Sequence, residues 1–146
     1  MRPVLMSVRD PYATDLLNGR KSAEFRKGPC PRPGTEVVVY RSGGDPMDRA
    51  LLGTFTVGDV VSGTPYDQMR EVLRPGISLR DLTAYAGGEM VLIWRIEVQS
   101  PRVFRVPISL TWAGVLCAPQ SWQYLTQGQL AGILTAARRH GAEVAP

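Results

Sequence analysis

The sequence predicts an α+β fold, in which about five to seven short strands form a small, partly closed mixed β-barrel flanked by short helices. A further helix is predicted at the C-terminal end. The 146 residues are 44% hydrophobic and 21% charged, which is typical of a folded chain with a full core. Short apolar segments with glycine-marked bends predict strands, and a barrel leaves few strand edges exposed. No linker or repeat interrupts the chain, so we expect one domain over residues 1–146.

The N-terminal segment predicts a strand, a helix and a second strand. Residues 4–8, VLMSV, are mostly apolar and predict a short buried strand. After them Asp10 can cap a helix, Pro11 suits its first position, and Gly19 suits its exit. Residues 22–26 alternate in polarity, which predicts a strand with one buried face.

Two more strands are predicted before the middle of the chain. Residues 35–40, TEVVVY, predict one strand, and residues 41–49 predict a polar loop. Residues 50–63 are long enough for one strand or two. Gly53 and Gly58 within them predict bulges or bends, because glycine in a strand often marks a close backbone approach.

Three helices are predicted after residue 63. The first is opened by Pro65 and runs to Leu73, and the second is capped by Ser78. The last begins after Thr126, which forms a capping box with Gln129. Its apolar residues recur at helical spacing, so it is expected to pack one face on the barrel.

The remaining segments predict a hairpin and a loop. Residues 89–98 and 102–110 read as two strands joined by a tight turn at Ser100-Pro101. Trp94 lies within the apolar first strand and is expected in the core. Residues 118–126, APQSWQYLT, predict a loop.

Composition argues against several classes of protein. The net charge is +4, and Lys21 and Lys27 are the only lysines among 17 basic residues. Cys30, Cys117 and the single His140 have no spacing typical of a metal site, so we expect reduced thiols and no metal or cofactor. The first residues do not resemble a signal peptide, and no apolar run could cross a bilayer. We therefore expect a cytoplasmic protein without a membrane partner. No pattern specifies an oligomeric state.

A charged group follows the first predicted helix. Lys21 enters at the turn, and Glu24 and Arg26 share the strand face opposite Ala23 and Phe25. A cation, a carboxylate and a second cation this close together could bind a phosphate or the edge of a base. They could equally form a structural ladder of ion pairs on the surface.

Aromatic residues next to loops form a second candidate group. Tyr12, Tyr40, Trp122 and Tyr124 lie in or beside predicted loops. They could stack on bases, or they could pack in the core with one polar end satisfied. Gln120 and Ser121 could hydrogen-bond a ligand, or they could cap the backbone of their own loop.

The order of motifs along the chain resembles that of a known family. A strand and a short helix with Tyr12 precede G-x-K-x-x-E-x-R, here Gly19, Lys21, Glu24 and Arg26. The segments LLGTFTVGDVVSGTP, YAGGEMVLIWRIEV, FRVPISL and PQSWQYL follow in the family's order. In these features the chain resembles an ASCH domain of the PUA-like superfamily. The resemblance implies a pseudo-barrel with a cleft beside the first helix, and a family associated with RNA and modified nucleosides.

We therefore expect a domain that binds RNA or a modified nucleotide in this cleft. The positive net charge agrees with such a partner. The predicted ligand-binding residues come from the first helix, the motif and the loop before the last helix: Tyr12, Lys21, Glu24, Arg26, Gln120, Ser121, Trp122 and Tyr124.

A small hydrolase is the alternative that the resemblance implies. Some small ASCH proteins resemble amidohydrolases that act on acylated cytidines through Lys, Thr and Glu in the cleft, and others are linked to RNA cleavage. Lys21 matches the lysine of that set, but Glu24 stands where the threonine would be. Glu24 would then act as a general base and Lys21 would stabilise negative charge. A third possibility, a protein-interaction domain, has no apolar surface stripe in the sequence to support it.

Overall fold

The structure, a computed structural model, describes residues 1–139, and His140 lies outside this range. The described strands are β1 (Val4–Arg9), β2 (Ala23–Arg26), β3 (Glu36–Ser42), β4 (Ala50–Gly63), β5 (Ile93–Ile108) and β6 (Trp122–Tyr124). The α-helices are α1 (Tyr12–Leu17), α2 (Pro65–Glu71), α3 (Leu79–Ala86) and α4 (Gln127–Arg139). Short 3-10 helices cover Pro46–Asp48 and Leu110–Ala113.

The six described strands form one sheet in the order β2-β5-β4-β3-β1-β6. β1 and β3 run parallel, and the other neighbouring strands run antiparallel. The sheet curls into a half-barrel, and its two outer strands are β2 and β6. The predicted α+β fold, a partly closed mixed barrel with flanking helices and a C-terminal helix, is confirmed.

The central strands are buried on both faces, which explains their unbroken apolar runs. In β1, Val4 and Met6 belong to a core cluster that includes Leu16 of α1. Leu5, between them, points to the opposite face and belongs to a cluster that includes Ile133 of α4. The half-barrel is therefore held between the first and the last helix.

The helix-start signals of the sequence act as predicted, with small shifts. Thr126 and Gln129 form the capping box, in which each side chain accepts a hydrogen bond from the other's backbone N–H, at 2.8 and 3.0 Å. The Asp10 carboxylate accepts from Thr14 N at 3.2 Å, while α1 begins one residue later than predicted, at Tyr12. α2 ends at Glu71 rather than Leu73.

The two glycines of β4 mark irregular pairing, as predicted. The register between β4 and β5 shifts next to Gly53 and across Gly58. At Gly53 a Cβ atom would overlap the carbonyl oxygen of Arg102, and it would lie 3.1 Å from Cδ1 of Leu17. β4 and β5 therefore approach too closely at this point for any side chain.

The predicted hairpin at Ser100-Pro101 is wrong, because β5 is one strand. Its pairing with β4 continues on both sides, with Gln99 opposite Thr56 and Arg102 opposite Thr54. Ser100 and Pro101 fall between these pairs, and Ser100 has a φ of 49°. Because β4 runs past this point unbroken, the turn-forming residues form a bulge, where a proline without an N–H is tolerated.

Two further predictions about the surface are wrong. Trp94 is 38% exposed rather than buried, and Met90 and Leu92 before it are more exposed still. This exposed apolar run lies at the start of β5, where apolar character alone does not distinguish the surface from the core. The loop predicted over residues 118–126 contains β6, which pairs with the edge of β1. β6 has three residues, too few to show a strand period.

Candidate functional site

A cavity of about 640 Å³ lies on the open side of the half-barrel, between β2, α1 and the residues just before β6. We call it the main cavity. Its volume is in the range of small-molecule sites, which is about 300–1,000 Å³. Six of the predicted ligand-binding residues line it: Tyr12, Lys21, Glu24, Arg26, Gln120 and Ser121.

Lys21 lies at the floor of the main cavity and is 2% exposed. Its ammonium nitrogen Nζ donates to the carbonyl oxygens of Ala23 at 2.6 Å and Pro75 at 2.8 Å. The ring centroid of Phe25 lies 4.5 Å from Nζ. An ammonium has three N–H donors, so the two carbonyls leave one for a ligand.

Gly76 makes room for the Lys21 side chain. It has a φ of 67°, and a Cβ atom there would lie 2.6 Å from Cγ of Lys21. The backbone after Pro75 is thus folded directly over the methylene stem of the lysine. Any residue larger than glycine would displace the stem or unfold the turn.

Burial lowers the pKa of the Lys21 ammonium from its ordinary 10.5 to about 8. The carboxylates of Glu24 and Asp15 act in the opposite direction, but more weakly than the loss of water. The ammonium is therefore mostly charged at pH 7 and loses its proton in mildly alkaline solution.

Arg26 links β2 to β1 and to the segment before β6 across the main cavity. Its Nη2 lies 2.7 Å from Oε2 of Glu24, and Nε donates to the same oxygen at 3.0 Å. The same guanidinium donates to Ser7 O of β1 at 2.7 Å and to Oγ of Ser121 at 3.3 Å. The carboxylate is thus paired with Arg26. Because Oε2 accepts both bonds, Oε1 is left to accept from a ligand.

The free edge of β2 turns backbone groups towards the main cavity. β5 is its one neighbour among the described strands. Val98 N, of β5, donates to Ser22 O, whereas Lys21 Nζ reaches Ala23 O on the opposite side. Backbone groups alternate sides along a strand, so the N–H and C=O of Phe25 point the same way as those of Ala23. Phe25 lines the main cavity, so this donor and acceptor are placed to bind a ligand.

The rim of the main cavity carries an exposed cation and an aromatic ring. Lys27 is exposed, and its Nζ lies 5.0 Å from the ring centroid of Tyr85. One carboxylate lines the main cavity, that of Glu24, against four cations: Arg9, Lys21, Arg26 and Lys27. This excess favours an anionic ligand.

Trp122 and Tyr124 are not among the residues that line the main cavity. The Trp122 indole Nε1 donates to Pro29 O at 2.9 Å, and its ring packs on the core cluster beneath α1. Tyr124 is 51% exposed, and the Arg2 guanidinium lies 4.4 Å from its ring centroid. The two rings contact each other edge to face. Their assignment as ligand contacts stays a prediction.

A second cavity of about 410 Å³ adjoins the main cavity. It lies between the start of α1 and the loop after β3. The two cavities share four lining residues, Arg9, Tyr12, Ser42 and Gly43. The two cavities are therefore neighbouring compartments that share a wall.

Several residues of the site were missed in the sequence. Gly76 and Tyr85 lie far along the chain from the motif, and no local pattern ties them to Lys21 or Lys27. Ser7 donates from Oγ to Pro119 O at 2.6 Å, which fixes the segment before β6 against β1. The only usable signal was the pair Pro75-Gly76, which is typical of a turn.

The described residues hold no group of three or more His, Cys, Asp and Glu placed to bind a metal ion. Cys30 and Cys117 are free thiols. Within residues 1–139, none of the helices has the length and apolar character needed to span a bilayer.

A family model described as the ASCH domain matches residues 6–112. No curated protein sequence matches the chain. The crystal structure of an ASCH protein from Zymomonas mobilis superposes with a TM-score of 0.77 at 19% identity, covering 92% of this chain and 94% of that one. A mutant of that protein gives 0.80 at 17% identity, with 92% and 98% coverage. Human THYN1, in complex with DNA containing 5-methylcytosine, gives 0.56 at 14% identity, with 94% and 98% coverage. At such identities the likeness shows a shared fold.

Proposed function

Because the chain belongs to the ASCH domain family, we propose that it binds RNA or a modified nucleotide in the main cavity. This proposal rests on one observation: the unpaired edge of β2 lies between two positively charged side chains. Phe25 supplies the edge, and Lys21 and Arg26 supply the cations. A nucleotide presents the matching pair of features, a base edge and a phosphate.

The phosphate would be bound by the cations of the main cavity. Lys21 retains one N–H donor after binding two carbonyls. Arg26 is held in place by its bonds to Glu24 and Ser7, so little entropy is lost when it meets an anion. Lys27 adds a mobile charge at the rim.

The base would be recognised by backbone and aromatic groups. Every nucleobase carries a donor next to an acceptor on its pairing edge, which the C=O and N–H of Phe25 would complement. The rings of Tyr12 and Tyr85 line the same cavity and offer apolar walls for the base. Trp122 and Tyr124 would contribute only to a ligand that extends beyond the cavity.

One structural neighbour supports a nucleic-acid ligand in general terms. Human THYN1, which shares the half-barrel, is described in complex with DNA containing 5-methylcytosine. A modified base in the main cavity of the present chain would be a related use of the fold. RNA and a cytoplasmic location remain our predictions for this chain.

The test is a titration of the protein with the four ribonucleoside monophosphates, 5-methylcytidine monophosphate and a short single-stranded RNA. We expect measurable affinity for at least one of them. Arg26→Gln should weaken it by about tenfold or more, because a hydrogen bond to a charged group contributes about 1.5–3 kcal/mol.

Arg20→Gln is the matched control, since Arg20 is exposed, lies in the same segment and does not line the main cavity. Its affinity should stay within about twofold of the wild type. If both variants lost the same affinity, the effect of Arg26→Gln would come from overall charge and not from a specific contact. If none of the probes bound the wild type, the proposal would be contradicted.

A hydrolase is the second candidate, and Lys21 is the observation that favours it. A lysine with a pKa of about 8 in a cavity is a group that enzymes use in proton transfer and charge stabilisation. Oε1 of Glu24 would take a proton from the attacking water, and the free N–H of Lys21 would stabilise the developing negative charge. Product formation in the same titrations, lost in both Lys21→Met and Glu24→Gln, would favour this role over binding alone.

A further inference from the structure

The second cavity has the wrong charge for a phosphate and the right position for a neighbouring nucleotide. Three carboxylates line it, those of Asp10, Asp45 and Asp48, against the guanidiniums of Arg9 and Arg41. Arg41 is engaged within the wall, because its Nε donates to Asp48 O at 2.6 Å. This compartment therefore disfavours a second anion. It suits the neutral part of a nucleotide, whose sugar and base carry many hydrogen-bonding groups.

Arg9 lies at the junction of the two compartments and lines both. Its side chain rests against Gly43, where a Cβ atom would lie 2.9 Å from Nε of Arg9. The glycine at position 43, with a φ of 73°, thus leaves room for the guanidinium in the shared wall. A cation between a basic and a mixed compartment is positioned for a phosphate that links their contents.

We propose that the ligand is a single nucleic-acid strand, with one nucleotide in the main cavity and its neighbour in the second cavity. The phosphodiester between them would lie at Arg9. This inference rests on the proposed function and adds to it the length of the ligand. A free mononucleotide would fill only one of the two compartments.

Gly44 allows the second cavity to be blocked without touching the main one. It lines only the second cavity, has a φ of 60°, and has open space where a Cβ atom would stand. Asparagine tolerates this backbone conformation better than most residues, so Gly44→Asn should place an amide group in the compartment. Gly114→Asn is the matched control, because Gly114 has a φ of 66°, equally open space, and lines neither cavity.

The experiment compares a 5′-phosphorylated, 2′-O-methylated dinucleotide with the corresponding 5′-mononucleotide on wild type, Gly44→Asn and Gly114→Asn, so that both probes carry a terminal phosphate. The wild type should bind the dinucleotide about tenfold more tightly, as expected for one added nucleotide. Gly44→Asn should keep its affinity for the mononucleotide and lose the dinucleotide advantage. Gly114→Asn should keep both. In the wild-type protein, the amide resonance of Gly44, which lines only the second cavity, should shift with the dinucleotide and not with the mononucleotide.

The outcomes separate this inference from the proposed function. If the mononucleotide binds but the dinucleotide has no advantage, or if the advantage survives in Gly44→Asn, the second compartment is not a nucleotide site. An unchanged Gly44 resonance with the dinucleotide would overturn it as well, whether or not the variants fold. If neither probe binds the wild type, the proposed function fails together with it.

Discussion

The floor and the rim of the main cavity each carry a lysine from the same short segment, in opposite physical settings. Lys21 at the floor is 2% exposed, bound to two backbone carbonyls and covered by Gly76. Lys27 at the rim is exposed, and its ammonium lies over the face of the Tyr85 ring. The two side chains have the same charge in water. They differ in how closely the surrounding residues pack against them.

The difference predicts that Lys21, unlike Lys27, cannot be replaced by arginine without loss. The chain has 17 basic residues and uses lysine at only two positions. At the floor a compact ammonium fits between two carbonyls, where a planar guanidinium has neither the space nor the geometry. At the rim the surrounding water accommodates either group. The structure therefore gives a reason for lysine at position 21 and none at position 27.

The largest expected effect is that of Lys21→Arg. The larger group must displace Gly76 or leave the floor, which should lower the free energy of unfolding by about 1–3 kcal/mol. Ligand affinity should fall by about 10- to 100-fold, because a charge-assisted bond is lost or misplaced. Denaturant unfolding and ligand titration measure the two effects.

Lys27→Arg is the control for this comparison. It should leave the free energy of unfolding nearly unchanged. The ligand affinity should stay within about twofold of the wild type, as for other exposed charges. If Lys21→Arg behaved like Lys27→Arg in both measurements, the packing around the floor would have no functional importance.

The second effect is the pH dependence that Lys21, at the floor of the main cavity, adds to the stability of the protein. Below pH 8, Lys21 is protonated in both the folded and the unfolded chain, so its contribution is constant. Between pH 8 and 10.5 the unfolded lysine keeps its proton while the folded one loses it. At this side chain the unfolded state then binds more protons, so the contribution of Lys21 to stability rises with pH in this window. The Cys30 thiol, whose pKa burial raises to about 11, acts in the opposite direction.

Lys21→Met isolates this contribution. The unfolding free energy of the wild type minus that of the variant should be flat up to about pH 8 and then increase by about 3 kcal/mol towards pH 10.5. Urea unfolding at a series of pH values gives the difference directly. A difference that stays constant across this range would mean that burial does not perturb the Lys21 ammonium.

The smallest effect is expected from Lys27→Ala. Removing one solvated charge from the rim should weaken RNA binding by about threefold at low salt and less at high salt. If Lys27 contacts a phosphate, the slope of log affinity against log salt should decrease by about 0.7. A salt series on the wild type and the variant checks this. A loss as large as that of Lys21→Arg would remove the distinction between floor and rim.

Much of the fold could be predicted because its signals are local. The capping box of Thr126 and Gln129, the bends at Gly53 and Gly58, and the apolar runs of β1 and β3 each depend on neighbouring residues. The single strand β5 could not be predicted in this way. Ser100-Pro101 is a good turn sequence, and only the uninterrupted partner strand β4 makes it a bulge.

In the candidate site, too, the features that depend on neighbouring residues could be predicted, and those that depend on distant residues could not. The motif residues Lys21, Glu24 and Arg26 were found in the sequence because they lie within one segment. The ion pair between Arg26 and Glu24 lies within that segment as well. The partner of Lys21 was not found, because Lys21 binds the backbone of Pro75, far along the chain. The free edge of β2 was invisible for a different reason. It consists of backbone groups, which no residue type encodes.

Gly53 lies outside the main cavity, but a substitution there would still disturb the elements that form the cavity. The carbonyl of Arg102 occupies the place of its missing side chain, and Leu17 of α1 lies next to it. A methyl group at this position would wedge apart the two longest strands and push on the helix that carries Tyr12. Mutational tolerance in this fold therefore does not simply increase with distance from the cavity. A saturation library should find position 53 as intolerant as the floor, although it contacts no ligand.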